Sequence, residues 1–344
     1  MMKKFATILV LLTILLKVSD GEGRVVCYFP SWAIYIPDNG KFQAKNIDPN
    51  ICTHVIYSYI GLNPNGAVLI LDDWEHTLLE EVAHLMGLKD VNPDLKVLAC
   101  MGGWNENSAI YSQVSAHPEK RSTMVQSVLT YLQKYGYDGF ALDWEFPGQR
   151  GGDSDKDSSN FVTLLKELKT ALNAEGLTLS AGVSATPESM NISYPDVKAI
   201  SDNLDQINIL SFDDGYSAGI SNVDGDIKRW LDGGADPRKL NIGGSTYGRS
   251  FNASEATGTL GYNKICQFDS DWKYVWDDKL QVPNKIKDDQ KIVYEDAKSL
   301  GIKADVAIEY NLGGVAVWSV STDDFLGLCG DSYPLITSLY NHLN

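Results

Sequence analysis

One stretch gathers the residues that could do acid–base chemistry. It is Tyr137-Asp-Gly-Phe-Ala-Leu-Asp-Trp-Glu-Phe-Pro147, with carboxylates at Asp138, Asp143 and Glu145. Its apolar part, Gly139–Asp143, reads as a buried strand, and alternate strand residues point the same way. Positions 141, 143 and 145 therefore share one face, with Glu145 at the C-terminal end. Two carboxyls side by side in a poorly solvated site cannot both ionise freely. One is pushed towards keeping its proton at neutral pH, as a general acid must. The plainer reading of the same residues is two solvated acids at a strand end.

The elements that would hold this stretch recur along the chain. Short apolar runs at Arg24–Phe29, His54–Tyr59, Lys96–Met101, Gly139–Asp143, Thr178–Val183, Gln206–Phe212, Leu240–Gly244 and Gly314–Trp318 read as strands buried on both faces. Between several of them, Trp74–Met86, Arg121–Tyr135 and Phe161–Leu172 repeat apolar residues at three- and four-residue steps, the pattern of amphipathic helices. Eight strands alternating with helices predict an α/β fold, a (β/α)8 TIM barrel, whose chemistry sits at the C-terminal strand ends. An open doubly wound sheet is the alternative. No nucleotide-binding glycine motif follows any strand. The long stretch between the seventh and eighth strands, about 247–291, is read as an insert: a small subdomain or a cleft-lining loop.

Composition narrows the partners. The 344 residues are 44% hydrophobic and 22% charged, which supports a packed core. A formal net charge of −16 repels nucleic acid and anionic membrane and suits a neutral ligand. The 8 Trp and 17 Tyr could supply flat faces for sugars, or could simply fill a large core. Lys3 and Lys4 precede an apolar run from Phe5 to Leu16, with small residues at Ser19 and Gly21. This predicts a signal peptide over 1–21, a mature chain of 22–344 and a secreted, extracellular protein. In an oxidising compartment four of the five cysteines fall into two sequence neighbourhoods, Cys27 with Cys52 and Cys266 with Cys329. That leaves Cys100 as a buried free thiol. Asn191 and Asn252 open N-glycosylation sequons.

The run around Glu145 closely resembles the DGxDxDWEYP motif of glycoside hydrolase family 18, the chitinases and chitinase-like lectins of animal type. Further segments resemble that family in the same order along the chain. They are Cys27-Tyr-Phe-Pro-Ser-Trp32, Cys52-Thr-His54 with Tyr57-Ser-Tyr59, Gly102-Gly103-Trp104, Gln206-Ile-Asn-Ile-Leu-Ser-Phe-Asp213, Tyr247-Gly-Arg-Ser-Phe251 and Gly313-Gly-Val-Ala-Val-Trp-Ser319. The resemblance implies disulfides Cys27–Cys52 and Cys266–Cys329. It implies cleavage of β-1,4 links in N-acetylglucosamine polymers with retention, the substrate's own acetamide acting as nucleophile. Glu145 would protonate the leaving oxygen, and Asp143 would orient the acetamide and stabilise the oxazolinium intermediate. Asp213 would hydrogen-bond the sugar. Trp318 would form the floor, Trp104 would flank the cleft, and Arg249 would order the site's polar groups. Phe212, Tyr28 and Gly103 fall among the sugar-binding residues. The implied partners are chitin or chito-oligosaccharides, the implied state is a monomer, and no metal or organic cofactor is needed.

Two departures from the family pattern bear on the chemistry, and a third, Leu210 for Met, changes the pocket shape only slightly. Ala141 stands where the first Asp of DxDxE would be, so a proton shared with Asp143 is lost. Phe212 stands for a Tyr whose hydroxyl would donate to the acetamide carbonyl. The insert is also shorter than in typical animal members between Phe251 and Gly261. Two functional readings follow: a chitinase slowed by Ala141 and Phe212, or a weak or inactive chitin-binding lectin or growth-factor-like protein on the same fold.

Overall fold

In the computed structural model, residues 23–74, 76, 80–212, 219–252 and 255–344 are described. The expected signal segment therefore lies outside the described residues. The strands are β1 (Arg24–Pro30), β2 (His54–Leu62), β3 (Val68–Leu69), β4 (Lys96–Gly102), β5 (Gly139–Asp143), β6 (Thr178–Val183), β7 (Gln206–Ile209), β8 (Leu240–Ser245), β9 (Tyr247–Asn252), β10 (Glu255–Gly261), β11 (Lys273–Asp277), β12 (Val282–Lys287), β13 (Gln290–Val293) and β14 (Gly314–Trp318). Eight of them form one parallel sheet in the order β1-β14-β8-β7-β6-β5-β4-β2. Pairing of β1 with β2 closes it into a barrel, and the open-sheet alternative falls away.

Both faces of the barrel strands are buried, and the interior mixes apolar side chains with hydrogen-bonded Ser180, Asn208 and Asn241. Along β1, Val26 and Tyr28 point into the barrel, where they pack with Ile56, Leu98, Cys100, Ala141 and Ala316. Val25, Cys27 and Phe29 face outward into the larger core beneath the helices. Those helices include α1 (Glu81–Gly87), α2 (Ala109–Ser115), α3 (Pro118–Tyr135), α4 (Asp157–Ala174), α5 (Pro187–Ile192) and α6 (Val197–Asp202). α3 opens with Pro118 at its first position and ends at Gly136, whose φ of 79° gives the left-handed turn that stops the helix.

One predicted element differs. The sixth barrel strand ends at Ile209, so Phe212 lies past it rather than within it. The helix expected over Trp74–Met86 is helical at Trp74 and His76 and runs as α1 from Glu81 to Gly87, with residues 75 and 77–79 outside the described set.

Between β8 and β14 the chain builds a second, antiparallel sheet in the order β10-β9-β13-β12-β11. Ile265, Ile292 and Tyr294 form its small core. Cys27–Cys52 and Cys266–Cys329 are disulfides, and Cys100 is free and buried. Among the described residues no helix is long and apolar enough to cross a membrane.

Candidate active site

β5 delivers Asp143 to the rim of the barrel, and Glu145 follows two residues later. Asp138, at the other end of the same run, is held by Lys89 Nζ at 2.8 Å and accepts the Val97 N–H at 2.8 Å. It ties β5 to its neighbours and stands apart from the rim carboxyls.

Asp143 is 2% exposed. Its Oδ2 accepts the Tyr59 hydroxyl at 2.8 Å, and its Oδ1 has no hydrogen-bond partner. A Cβ at Gly182 on β6 would lie 2.2 Å from that Oδ1, so only glycine fits beside the carboxylate. Burial raises the Asp143 pKa to about 6, and the Tyr59 hydrogen bond opposes the rise. Glu145 is half-buried. Burial first, then the charge of Asp143, pushes its carboxyl well above the ordinary range, against the pull of Arg150. Burial raises both acids, and each charge opposes ionisation of the other, so the pair favours keeping a proton at neutral pH.

Aromatic rings shape the cleft around these acids. Trp318, at the end of β14, stacks on Tyr59 at 5.9 Å between centroids and meets Trp32 at 5.9 Å. Across the cleft Trp104 is 58% exposed. The Arg150 guanidinium lies 3.5 Å from its ring centre and donates to the Trp104 carbonyl at 2.6 Å and to the Glu145 carbonyl at 2.9 Å. One arginine thus fixes both the aromatic wall and the backbone of the acid. The cleft, about 680 Å³, is lined by Trp32, Tyr59, Gly103, Trp104, Asp143, Glu145, Phe212 and Trp318 among others. Gly103 has φ 88°, and a Cβ there would meet the Tyr59 ring at 2.6 Å.

Most of the expected site residues converge here, with three exceptions. Tyr28, expected to bind sugar, is fully buried inside the barrel beneath Trp318, at 5.5 Å between ring centroids. A strand's sequence shows which face a residue takes but not its depth, and Tyr28 sits too deep to touch a ligand. Arg249 lines an adjoining cavity of about 400 Å³ on the far side of Trp318 and Trp32. Asp213 lies outside the described residues. Ala141 is fully buried below Asp143. Of the sequon residues, Asn191 is exposed on α5 and Asn252 is exposed at the end of β9.

Sequence reasoning missed Tyr59 and Arg150. In a regular strand Tyr57 and Tyr59 would share a face. The β2–β4 ladder instead pairs Ser58 with Cys100 and Ile60 with Met101, leaving Tyr59 as the extra residue. That irregularity keeps Tyr57 in the outer core and turns Tyr59 towards Asp143, a known use of bulges beside sites. Arg150 carried no signal beyond its place five residues after Glu145.

Comparison with known proteins agrees with this fold. The family model for glycosyl hydrolases family 18 matches residues 24–323. The chain is 37% identical to probable chitinase 2 of Drosophila melanogaster, over 89% of this chain and 73% of that protein. It is 30% identical to human chitinase-3-like protein 2, over 96% and 95%. Among solved structures, the Group IV chitinase of Ostrinia furnacalis in complex with allosamidin superposes with a TM-score of 0.88 at 33% identity, covering 93% of this chain and 98% of that one. Human YKL-39, described as a pseudo-chitinase with retained chitooligosaccharide binding, superposes with a TM-score of 0.83 at 29% identity, covering 93% and 99%.

Proposed function

The chain belongs to the glycosyl hydrolases of family 18, and from that membership and the cleft we propose that it is a secreted chitinase cutting β-1,4 links between N-acetylglucosamine units. One observation carries the reading: two carboxyls, Asp143 and Glu145, line one cleft with Trp318, and burial raises the pKa of both.

In the proposed reaction a sugar stacks on Trp318 and Glu145 gives its proton to the glycosidic oxygen. Asp143, steadied by Tyr59, accepts a hydrogen bond from the acetamide N–H as the acetamide oxygen attacks the anomeric carbon. The oxazolinium so formed is stabilised by the Asp143 charge. Water then opens it while Glu145 takes the proton back. Retention follows because the anomeric carbon is attacked twice. Phe212 lacks a hydroxyl to meet the acetamide oxygen, which costs about 3 kcal/mol, roughly a hundredfold in rate. Export is part of the proposal: it rests on the basic–apolar start of the sequence and is supported by two disulfides, which persist in oxidising compartments.

Ala141 favours a second reading, a chitin-binding protein with little turnover, because Asp143 has lost its expected carboxyl partner. Turnover of a defined chito-oligosaccharide, measured beside its binding isotherm, separates the two. Cleavage that disappears in Glu145→Gln supports the enzyme. Tight binding without cleavage in the wild type supports the lectin.

A further inference from the structure

The cleft of about 680 Å³ is lined by five carboxylic acids, Asp72, Glu106, Asp143, Glu145 and Glu188, and by no Lys, Arg or His among the described residues. Nor does the sequence place a basic residue among the internal positions outside the described set. Asp143 and Glu145 carry the proposed reaction. Asp72, Glu106 and Glu188 have no part in it.

Neutral groups hold these three acids. Asp72 accepts the Tyr35 hydroxyl at 2.6 Å and the Trp74 N–H at 3.0 Å. Glu106 accepts the Tyr111 hydroxyl and the Leu62 N–H at 3.4 Å. Burial raises the Glu106 pKa, and these two donors oppose the rise. Glu188, exposed in the first turn of α5, has no hydrogen bond or ion pair among the described residues. Arg150 lies against the Trp104 ring but outside the lining, and its charge acts on Glu145.

The adjoining cavity of about 400 Å³ is the reverse: Arg249 and Lys264 line it and no acid does. The negative lining therefore belongs to the cleft and is not simply the net charge of −16 showing through. The cleft is a site on independent grounds. Trp32, Trp104 and Trp318 shape it, and Asp143, 2% exposed, lines it with one oxygen unpartnered. A cleft lined by one sign of charge focuses its field and concentrates ligands of the opposite sign. Neutral N-acetylglucosamine units gain nothing from that field. A glucosamine unit, whose free amine is protonated at mildly acid pH, does.

We propose that the cleft takes partially deacetylated chitin: the unit over Trp318 keeps its acetamide, and neighbouring glucosamine units lie as ammonium cations along Asp72, Glu106 and Glu188. This deepens the proposed function and rests on it only for the acetamide over Trp318.

Calorimetry in the Glu145→Gln background, where cleavage is stopped, compares a glucosamine hexamer with an N-acetylglucosamine hexamer at mildly acid pH. The Kd of the glucosamine hexamer is expected to rise roughly tenfold between about 0.02 M and about 0.5 M salt, and that of the neutral hexamer to change less than about twofold. Glu106→Gln and Glu188→Gln, added singly, should each weaken the glucosamine hexamer by roughly two- to fivefold at low salt and leave the neutral hexamer unchanged. If Glu106→Gln fails to fold, the exposed Glu188→Gln and the salt series still decide. No binding of the glucosamine hexamer, or a Kd that ignores salt, overturns the proposal. So do variants that weaken both hexamers alike, as acids that only accept sugar hydroxyls would. A wild type without turnover would sink the chitinase reading and leave the salt series to judge the charge of the ligand.

Discussion

Tyr59 donates to Asp143 Oδ2 at 2.8 Å from a position that the β2–β4 ladder skips. The hydroxyl is the one hydrogen bond the buried carboxylate receives among the described residues, and it favours the ionised form. Tyr59→Phe should therefore raise the Asp143 pKa further and slow turnover about ten- to a hundredfold, the worth of a hydrogen bond to a charged group. The loss should fall on kcat, because the charge on Asp143 matters most as the oxazolinium forms. A pH–rate profile matching the wild type would remove Tyr59 from the mechanism.

Glu145→Gln keeps the shape of the side chain and removes the proton. Turnover should drop by about 10²–10⁴-fold, the usual contribution of a general acid, while oligosaccharide binding changes by no more than a few-fold. Kinetics and calorimetry on the same preparation decide it. Unchanged turnover would rule out Glu145 as the acid.

The same variant makes a stability prediction. The folded state holds the Glu145 proton more tightly than the unfolded chain does, because burial and Asp143 both raise its pKa. Between the unfolded and folded pKa values the native protein binds more protons, so stability falls as pH rises through that window. Gln has no proton to lose. Glu145→Gln should melt above the wild type at neutral pH, and the gap should close below about pH 4, where the carboxyl is protonated in both states. Equal melting temperatures across the range would contradict a strained, coupled carboxyl.

Ala141→Asp and Phe212→Tyr restore two groups that serve one intermediate. Each should raise kcat more than it changes KM, and together they should couple rather than add. Ala141 is fully buried in an apolar layer, so its aspartate variant should also lose stability unless Asp143 takes up its proton. Rates and melting temperatures of the wild type, both single variants and the double variant test this. Four equally stable proteins with equal rates would show that these positions do not limit turnover.

Intact-mass analysis under non-reducing conditions should find two bridges and one thiol, with Cys100 alkylated only after unfolding because it is buried. The Cys27–Cys52 bridge spans 25 residues, so its loss should destabilise the fold by roughly 3 kcal/mol. Rapid alkylation of the native protein would show that the barrel interior opens.

The barrel was legible because its strands are short and mostly apolar, and the acids were legible because Asp143 closes a strand and Glu145 follows it in a distinctive run. What stayed hidden depended on depth and register. Tyr28 and Trp318 both sit on inward faces, but only the structure tells that Tyr28 lies beneath the floor that Trp318 forms. Tyr59 was masked by the extra residue in its ladder, which no local pattern announces. The early end of β7 was missed because Leu210 and Phe212 extend its apolar run. The inserted sheet was read only as an insert, since its strands mix lysines and tyrosines without a clean two-residue period.

Trp104 and Trp32 stand open at the cleft and Trp144 and Trp230 are sealed in the core, while Trp74 is also exposed and Trp272, Trp276 and Trp318 lie between these limits. The open pair should emit at longer wavelength and be quenched by a soluble collider that cannot reach the sealed pair. A sugar chain lying in the cleft would shield the first pair and leave the second as an internal standard. The protein thus carries its own optical gauge of occupancy, readable without a label and without turnover.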